Sequence, residues 1–179
     1  GQLQKLIIIY RCENILLIKN RCLHISSYAD LIITLLLFFC QISLVVNVAS
    51  ECGYTDNHYR GLNKLHNHLS TTGRFTVLAF PCNQFGRQEP LVSIIVLTVC
   101  YKTFKFPVFA KINVIDSDVP DAWQFLSVGS PPNWNFFKYL IDENGHVLHS
   151  WGPWNSVDEI YSVVQEAVTN AMKLPHTEL

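Results

Sequence analysis

The chain has 179 residues, of which 49% are hydrophobic and 15% are charged. This length and composition suit one domain with a full hydrophobic core, and they exclude an intrinsically disordered chain. The formal net charge is -1. Because no basic excess is present to neutralise phosphates, the charge argues against a nucleic-acid partner.

The six cysteines lack the spacing of a metal site. No two of them form a C-x-x-C pair, and no Cys/His cluster has zinc-ligand spacing, so no metal is expected. His66 and His68 lie on different faces of a helical stretch, and we expect both to be exposed. A disulfide scaffold is disfavoured because a chain this long can build a core without cross-links. We therefore expect one or two reactive thiols among buried ones.

Residues 44 onward begin with a strand, a helix and a second strand. The apolar run 44–49 predicts a buried strand. Thr55 and Asp56 are the expected caps of a helix that ends at Thr72 and Gly73. The apolar residues at helical spacing are Tyr59, Leu62, Leu65 and Leu69. Residues 75–80 predict a second strand, which Pro81 stops.

The middle of the chain gives weaker patterns. Residues 91–101 are apolar enough for either a strand or a helix. Residues 108–115 predict a strand. Residues 120–126 predict a short helix with Pro120 in its first turn.

The last third of the chain predicts a hairpin and a helix. Residues 136–141 and 146–151 flank Asn144-Gly145, a strong turn signal. The final helix is expected to start at Ser156, with Glu159 completing a capping box. Strands and helices that alternate and then close with a hairpin predict an α/β fold, a mixed sheet flanked by helices.

Residues 1–43 do not share this pattern. Scattered basic residues precede an apolar run at 31–40, which reaches membrane-spanning length if it continues to Val48. Three interpretations stay open: a signal peptide or anchor, a buried strand region, or a segment outside the native fold. We therefore divide the chain into an atypical N-terminal segment, 1–43, and a folded domain, 44–179.

Cys52 lies between the first predicted strand and the first predicted helix. Free backbone N–H groups and the helix dipole at a helix N-terminus stabilise a thiolate, which is the nucleophilic form of cysteine. Thr55 stands where a second cysteine would complete a C-x-x-C dithiol centre. On spacing alone, a reactive thiol and a buried structural cysteine both stay open.

Three segments, 47–55, 80–86 and 134–136, resemble the signature motifs of the glutathione peroxidases in sequence, order and spacing. The resemblance covers the chain from about residue 44 to the C-terminus, and it implies a thioredoxin-like fold. It also implies that Cys52 occupies the position of the peroxidatic cysteine or selenocysteine. Gln84, Trp134 and Asn135 match the residues that complete the catalytic tetrad of the family.

The chemistry implied by the resemblance is reduction of hydrogen peroxide and of organic or lipid hydroperoxides through a sulfenic acid on Cys52. The N–H donors of Gln84, Trp134 and Asn135 would favour the thiolate and orient the peroxide. A resolving thiol is expected from Cys82 or, as second choice, from Cys100. No cofactor is expected, and glutathione or a protein dithiol would act as the co-substrate.

The resemblance further implies a location and a partner. The C-terminal residues His-Thr-Glu-Leu resemble a relaxed retrieval signal of the endoplasmic reticulum, and the motifs resemble the cysteine-containing branch of that compartment. We expect a protein of the endoplasmic reticulum lumen or a secreted one, with a protein disulfide isomerase or thioredoxin-like partner. The short segment before Trp134 resembles the monomeric branches of the family.

Two alternatives to the peroxidase stay open. The chain could be a peroxide sensor or thiol relay that oxidises a protein disulfide isomerase-like partner. It could instead be an inactive or membrane-anchored binding module, because residues 1–43 and the segment after Pro90 are unusually apolar. The sequence does not determine the preferred hydroperoxide, the physiological reductant, the resolving cysteine or whether residues 1–43 contact a membrane.

Overall fold

The computed structural model describes residues 41–90 and 105–173, and there four strands form one mixed sheet that three α-helices accompany. The strands are β1 (Ile42–Val48), β2 (Phe75–Pro81), β3 (Lys138–Ile141) and β4 (Val147–Trp151). The helices are α1 (Thr55–Leu69), α2 (Asp121–Leu126) and α3 (Val157–Lys173). The strand order is β2-β1-β3-β4. The expected mixed sheet with flanking helices is confirmed.

Strand β1 is the centre of the sheet. It pairs in parallel with β2 and antiparallel with β3, and all of its residues are buried. A parallel pair needs a crossover connection, which α1 supplies between β1 and β2. A strand with both edges paired and both faces covered must be apolar throughout, which explains the run that predicted it.

The two faces of the sheet support two separate hydrophobic clusters, because side chains alternate along each strand. Leu44 and Val46 of β1 belong to the first cluster, with the apolar faces of α1 and α3. Val45 belongs to the second cluster, with Phe80 and with Trp123 of α2. The two cysteines of interest separate in the same way, since Cys52 is in the first cluster and Cys82 in the second.

Most of the predictions for the helices and the hairpin are confirmed. The four apolar residues predicted for α1 are buried, and its continuation ends at Gly73 with a φ of 71°. The capping box forms fully: Ser156 N donates to Glu159 Oε2 at 2.7 Å, and Glu159 N donates to Ser156 Oγ at 3.3 Å. The turn between β3 and β4 places Gly145 at a φ of 89°, which favours glycine.

Three expectations are wrong. Thr55 does not cap α1: the N-cap is Tyr54, which makes no side-chain capping bond, whereas Thr55 Oγ1 donates to Ala49 O at 2.7 Å. His68 is exposed but His66 is half-buried, against Phe75 and Phe106. Burial lowers the pKa of His66 to about 4.

The third error is the strand expected at 108–115, where only an isolated bridge between Ala79 and Val108 forms. Beyond it, backbone N–H groups turn towards the end of β2 instead of a neighbouring strand. Ile112 N donates to Pro81 O at 3.0 Å, and Val114 N donates to Gln84 Oε1 at 2.7 Å. An apolar run therefore becomes an irregular segment wrapped around Gln84.

Several expectations lie outside the described residues: the interpretations of residues 1–40, the element at 91–101, Cys100 and the C-terminal tetrapeptide. Within 41–90 and 105–173, none of the helices has both the length and the apolar character needed to cross a membrane.

Gly61 tests the packing of α1 against α3. A Cβ built on Gly61 would lie 2.7 Å from Val157 Cβ. Gly61→Ala gains about 1 kcal/mol of helix propensity, but overpacking a fixed interface costs about 1–3 kcal/mol. We expect Gly61→Ala to lower the free energy of unfolding in urea. The exposed Asn67→Ala on the same helix should leave it unchanged or raise it, and a stabilised Gly61→Ala would contradict this packing.

Candidate active site

Cys52 lies in a tight turn between the end of β1 and the start of α1, with 8% of its surface exposed. Its backbone is held on both sides. Cys52 N donates to Thr55 Oγ1 at 3.1 Å, and Thr55 N donates to Cys52 O at 3.0 Å. The turn therefore fixes the cysteine at the beginning of a helix, with a small opening to solvent.

The turn is anchored to the segment after β2 by a buried carboxylate. Glu89 has no exposed surface, and it accepts from Ser50 N at 2.6 Å and from Ser50 Oγ at 3.2 Å. Glu51 N donates to Gln88 O at 2.9 Å. Burial raises the pKa of Glu89, although the hydrogen bonds from Ser50 act in the opposite direction. These contacts join the Cys52 turn to the segment that carries Gln84.

Asn47, at the end of β1, joins the third motif to the same place. Asn47 is fully buried, and its Nδ2 donates to Trp134 O at 3.0 Å. Its Oδ1 accepts from Phe137 N at 2.9 Å, and its backbone oxygen accepts from Phe136 N at 2.7 Å. One side chain therefore fixes the backbone on both sides of Asn135.

Gln84 is held by the irregular segment around it. Its Oε1 accepts from Val114 N at 2.7 Å and from Ile115 N at 3.1 Å, and its Nε2 donates to Ile115 O at 2.7 Å. The Cys82 thiol also donates to Gln84 Oε1, at 3.6 Å. One N–H of the Gln84 carboxamide remains without a described acceptor.

Asn135 is fully buried, whereas Trp134 is 37% exposed. Asn135 Nδ2 donates to Gln88 Oε1 at 2.9 Å and to Phe85 O at 3.2 Å, and its Oδ1 has no partner among the described residues. The Trp134 ring lies 6.1 Å from the Phe85 ring. The three predicted partners of Cys52 are thus linked through the Phe85–Gln88 segment. The convergence of their N–H donors on the sulfur stays a prediction, because their described hydrogen bonds go to other groups.

Cys82 is fully buried, and burial raises the pKa of its thiol. It belongs to the second cluster, across the sheet from the cluster that contains Cys52. The backbones are close, since Cys82 N donates to Val48 O at 3.0 Å. A disulfide between the two cysteines therefore requires Cys82 to leave its cluster and its bond to Gln84.

Two buried basic residues, His58 and Lys138, contact Phe136, which follows the Trp134–Asn135 segment. They were not predicted from the sequence. His58 Nε2 lies 2.9 Å from Pro153 O, and its ring stacks on Phe136 with centroids 4.9 Å apart. Burial, with Lys138 as a smaller cause, lowers the pKa of His58 to about 4. Burial lowers the pKa of Lys138 to about 7. The sequence signal was a lysine within an otherwise apolar strand pattern.

The donor set of the site contains thiols, carboxamides and an indole, and it suits sulfur chemistry. Among the residues described, no group of three or more His, Cys, Asp or Glu side chains could hold a metal ion. Two free cysteines are present in the described part of the chain, Cys52 and Cys82.

Comparisons with known proteins identify the family of this chain. The family model of the glutathione peroxidases matches residues 23–127. Glutathione peroxidase 7 of Homo sapiens is 42% identical over 143 residues, which cover 78% of this chain and 76% of the relative. The chain belongs to the glutathione peroxidase family. "Probable glutathione peroxidase 8-B" of Xenopus laevis is also 42% identical, over 84% of this chain and 68% of the relative.

Solved structures confirm the fold of this glutathione peroxidase homologue. The crystal structure of Trgpx in apo form matches with a TM-score of 0.60 at 30% identity, over 74% of this chain and 83% of that one. A thioredoxin-family thiol:disulfide interchange protein from Chlorobium tepidum TLS matches with a TM-score of 0.53 at 13% identity, over 73% and 82%. The second likeness concerns the fold alone. The expected thioredoxin-like fold is confirmed, and the chain is a homologue of peroxidase oxidoreductases.

Asn47→Ala tests the anchor of the Trp134–Asn135 segment in this peroxidase homologue. The substitution leaves Phe137 N without its buried acceptor and Trp134 O without its donor. We expect the free energy of unfolding to fall by about 2–6 kcal/mol, since two groups lose their partners and each such loss costs about 1–3 kcal/mol. Urea unfolding measures this change. The exposed Asn113→Ala should change stability by less than about 0.5 kcal/mol, and equal effects of the two variants would refute the anchor.

His58 predicts an acid-dependent loss of stability. The pKa of His58 is about 4 in the folded protein, whereas the ordinary pKa of histidine, which applies to the unfolded chain, is 6.5. The unfolded chain therefore binds the proton more tightly, and the free energy of unfolding falls as the pH falls from 6.5 towards 4. His66 acts in the same direction, whereas the raised pKa of Glu89 opposes it.

The variant His58→Phe isolates this contribution, because it keeps a ring on Phe136 and removes the titrating group. We expect its stability to depend less on pH over that window, by up to about 1.4 kcal/mol per pH unit. Urea unfolding across the window measures the slope. The exposed His149→Gln should retain the parent slope, and an unchanged slope in His58→Phe would contradict the neutral buried histidine.

Proposed function

We propose that this chain is a thiol peroxidase in which Cys52 reduces hydrogen peroxide and organic or lipid hydroperoxides. The observation that carries the proposal is the anchoring by Asn47, which ties the Trp134–Asn135 segment to the end of β1, from which the Cys52 turn follows. The family membership supports the hydroperoxide substrate and the thiol reductant. Gln84, Trp134 and Asn135 complete the proposed site.

The first step is attack of the Cys52 thiolate on the distal oxygen of the hydroperoxide. An S–O bond forms, the O–O bond breaks, and the leaving oxygen takes a proton to become water or an alcohol. The sulfur is oxidised to a sulfenic acid. The thiolate is the reactive form, and Cys52 lies directly before α1, at the positive end of the helix dipole.

Each tetrad member has a role that its chemistry permits. The remaining N–H of the Gln84 carboxamide and the indole N–H of Trp134 donate to the leaving oxygen as it gains negative charge. Asn135 connects the Phe85–Gln88 segment to the Trp134 backbone, so it keeps these groups together. Its buried Oδ1, unpaired among the described residues, is an acceptor for an incoming donor.

The second step requires another thiol. Its sulfur attacks the sulfenic sulfur, a disulfide forms, and water leaves. Cys82 is the first choice and Cys100 the second. Cys82 can serve only after a local rearrangement, because it is buried in the second cluster. Exchange with two thiols of glutathione or of a protein dithiol returns both cysteines to the reduced state.

The proposed location, oligomeric state and partner are based on the family and not on the geometry of the site. We propose residence in the endoplasmic reticulum lumen or secretion, a monomeric state, and a protein disulfide isomerase or thioredoxin-like partner as reductant. The division of the chain into residues 1–43 and a peroxidase domain, 44–179, is part of the same proposal, although the first strand of the domain, β1, begins two residues earlier, at Ile42. A thiol relay is an outcome of the test below, since a relay consumes peroxide only when its protein partner is present.

Trapping of the sulfur at Cys52 tests the function. The reduced protein is treated with an equimolar amount of hydrogen peroxide, free thiols are blocked, and modified cysteines are mapped by mass spectrometry. We expect a sulfenic acid on Cys52 or a disulfide from Cys52 to Cys82. Cys52→Ser should abolish peroxide consumption, and Cys82→Ser should let the sulfenic acid of Cys52 accumulate because its resolving thiol is lost.

Cys100→Ser is the matched control for the resolving step, and it should leave the disulfide in place. A disulfide that persists in Cys82→Ser but is lost in Cys100→Ser would reverse the order of the two thiols. An unmodified Cys52 in folded protein would refute the peroxidase, and peroxide turnover that depends strictly on an added protein dithiol would favour the relay.

A further inference from the structure

Lys138 is a buried amine at the beginning of β3, shortly after the Trp134–Asn135 segment. It has no exposed surface, and its Nζ donates to Phe136 O at 2.8 Å and to Gly152 O at 3.0 Å. Burying an ionisable amine is unfavourable, whereas a methionine of similar length would bury at no such cost. A residue that breaks the local rule in this way is expected where the site needs it.

The Phe136 carbonyl is the acceptor that matters for the site. Phe136 has a φ of 61°, a left-handed conformation that is unfavourable for a bulky residue such as phenylalanine. Such conformations persist where the surroundings hold them, and they cluster at functional sites. Asn47 O accepts the Phe136 N–H and Lys138 Nζ donates to the Phe136 carbonyl, so both peptide groups of this residue are held.

Gly152 is the second anchor of the lysine. It follows β4, and a Cβ built on it would clash with the Trp154 ring. The next residue, Pro153, binds His58 of α1, whose ring stacks on Phe136. The lysine therefore joins the left-handed turn to the same stretch that is bound to the helix following Cys52.

We propose that Lys138 is a positioning residue for the peroxidase reaction: by tying the Phe136 carbonyl to the Gly152 carbonyl, it fixes the left-handed turn that directs Trp134 and Asn135. The inference rests on the proposed function of Cys52 and its tetrad. Lys138 touches no reacting atom and acts only through the backbone of that turn.

The test compares Lys138→Met with Lys64→Met, which removes an exposed lysine of α1 that pairs with Asp158. The rate of reaction of Cys52 with hydrogen peroxide is measured by trapping the sulfenic acid, well below the unfolding midpoint of each variant. We expect Lys138→Met to react about tenfold more slowly or worse, as misplacement of a catalytic group by a fraction of an ångström allows. Lys64→Met should react at the parent rate.

A spectroscopic readout separates positioning from stability. Fluorine-labelled tryptophan reports on each of the four tryptophans by NMR, and loss of a resonance in Trp134→Phe assigns Trp134. We expect the Trp134 resonance to shift or broaden in Lys138→Met, while that of Trp123, in the second cluster, stays in place. A lower unfolding midpoint with an unchanged rate and an unchanged Trp134 resonance would overturn the inference.

Two further variants keep the inference testable if Lys138→Met does not fold. Lys138→Gln retains one donating group and is measured in the same two assays, with a smaller loss of rate expected. Lys138→Arg keeps several N–H donors and should recover part of the rate that Lys138→Met loses. Rates equal to the parent in every variant that folds would overturn the inference.

Combining Lys138→Met with Trp134→Phe and Asn135→Ala separates the two proposals. If Lys138 acts through this pair of residues, it adds little further loss once both are changed. A full additional loss would overturn the inference. A slow Trp134→Phe/Asn135→Ala variant with a fast Lys138→Met would overturn the role of Lys138 alone. A pair variant as fast as the parent would overturn both the proposed tetrad and the positioning.

Discussion

The hydrogen bonds of Asn47 are the constraint on which the rest of the site depends. A buried carboxamide at the end of the central strand has to be satisfied, and the groups that satisfy it are Trp134 O and Phe137 N. These groups come from residues nearly ninety positions further along the chain. The hydrogen bonds of one buried carboxamide thus bring together motifs that are distant in the sequence. The apolar core alone would not specify which backbone groups face Asn47.

The remaining loops of the site are assembled by the same means. Glu89 accepts a hydrogen bond from Ser50 N at the Cys52 turn. Gln84 accepts hydrogen bonds from the N–H groups of Val114 and Ile115, which lie in a segment that forms no strand. Irregular backbone can be buried only where its polar groups find partners. Side chains therefore replace the backbone hydrogen bonds that a strand would have provided, and Glu89 and Gln84 are both committed to structural hydrogen bonds as a result.

The sequence predicted the elements with strong periodicity or clear signals at their ends: β1, the apolar face of α1, the hairpin turn and the capping box of α3. It failed at residues 108–115, because an apolar run indicates burial and does not reveal that Gln84 recruits the backbone there. The proposed site residues were predicted from the resemblance to family motifs. Their supports were not, since Glu89, His58 and Lys138 are ordinary surface residue types whose burial depends on contacts between distant segments.

The buried ionisable groups show how stability and reactivity are linked in this fold. His58 and Lys138 both have lowered pKa values, chiefly because burial disfavours their charged forms. At each of these groups the folded state binds a proton less tightly than the unfolded chain does. Both groups therefore lower the free energy of unfolding as the pH falls from the pKa of the unfolded chain to that of the folded state. A fold that retains two such groups around Phe136 gives up stability there, and it gains fixed donors on the backbone carbonyls of Phe136, Gly152 and Pro153. The left-handed conformation of Phe136 before β3 is held by these donors, and conformations of this kind persist only where the surroundings fix them.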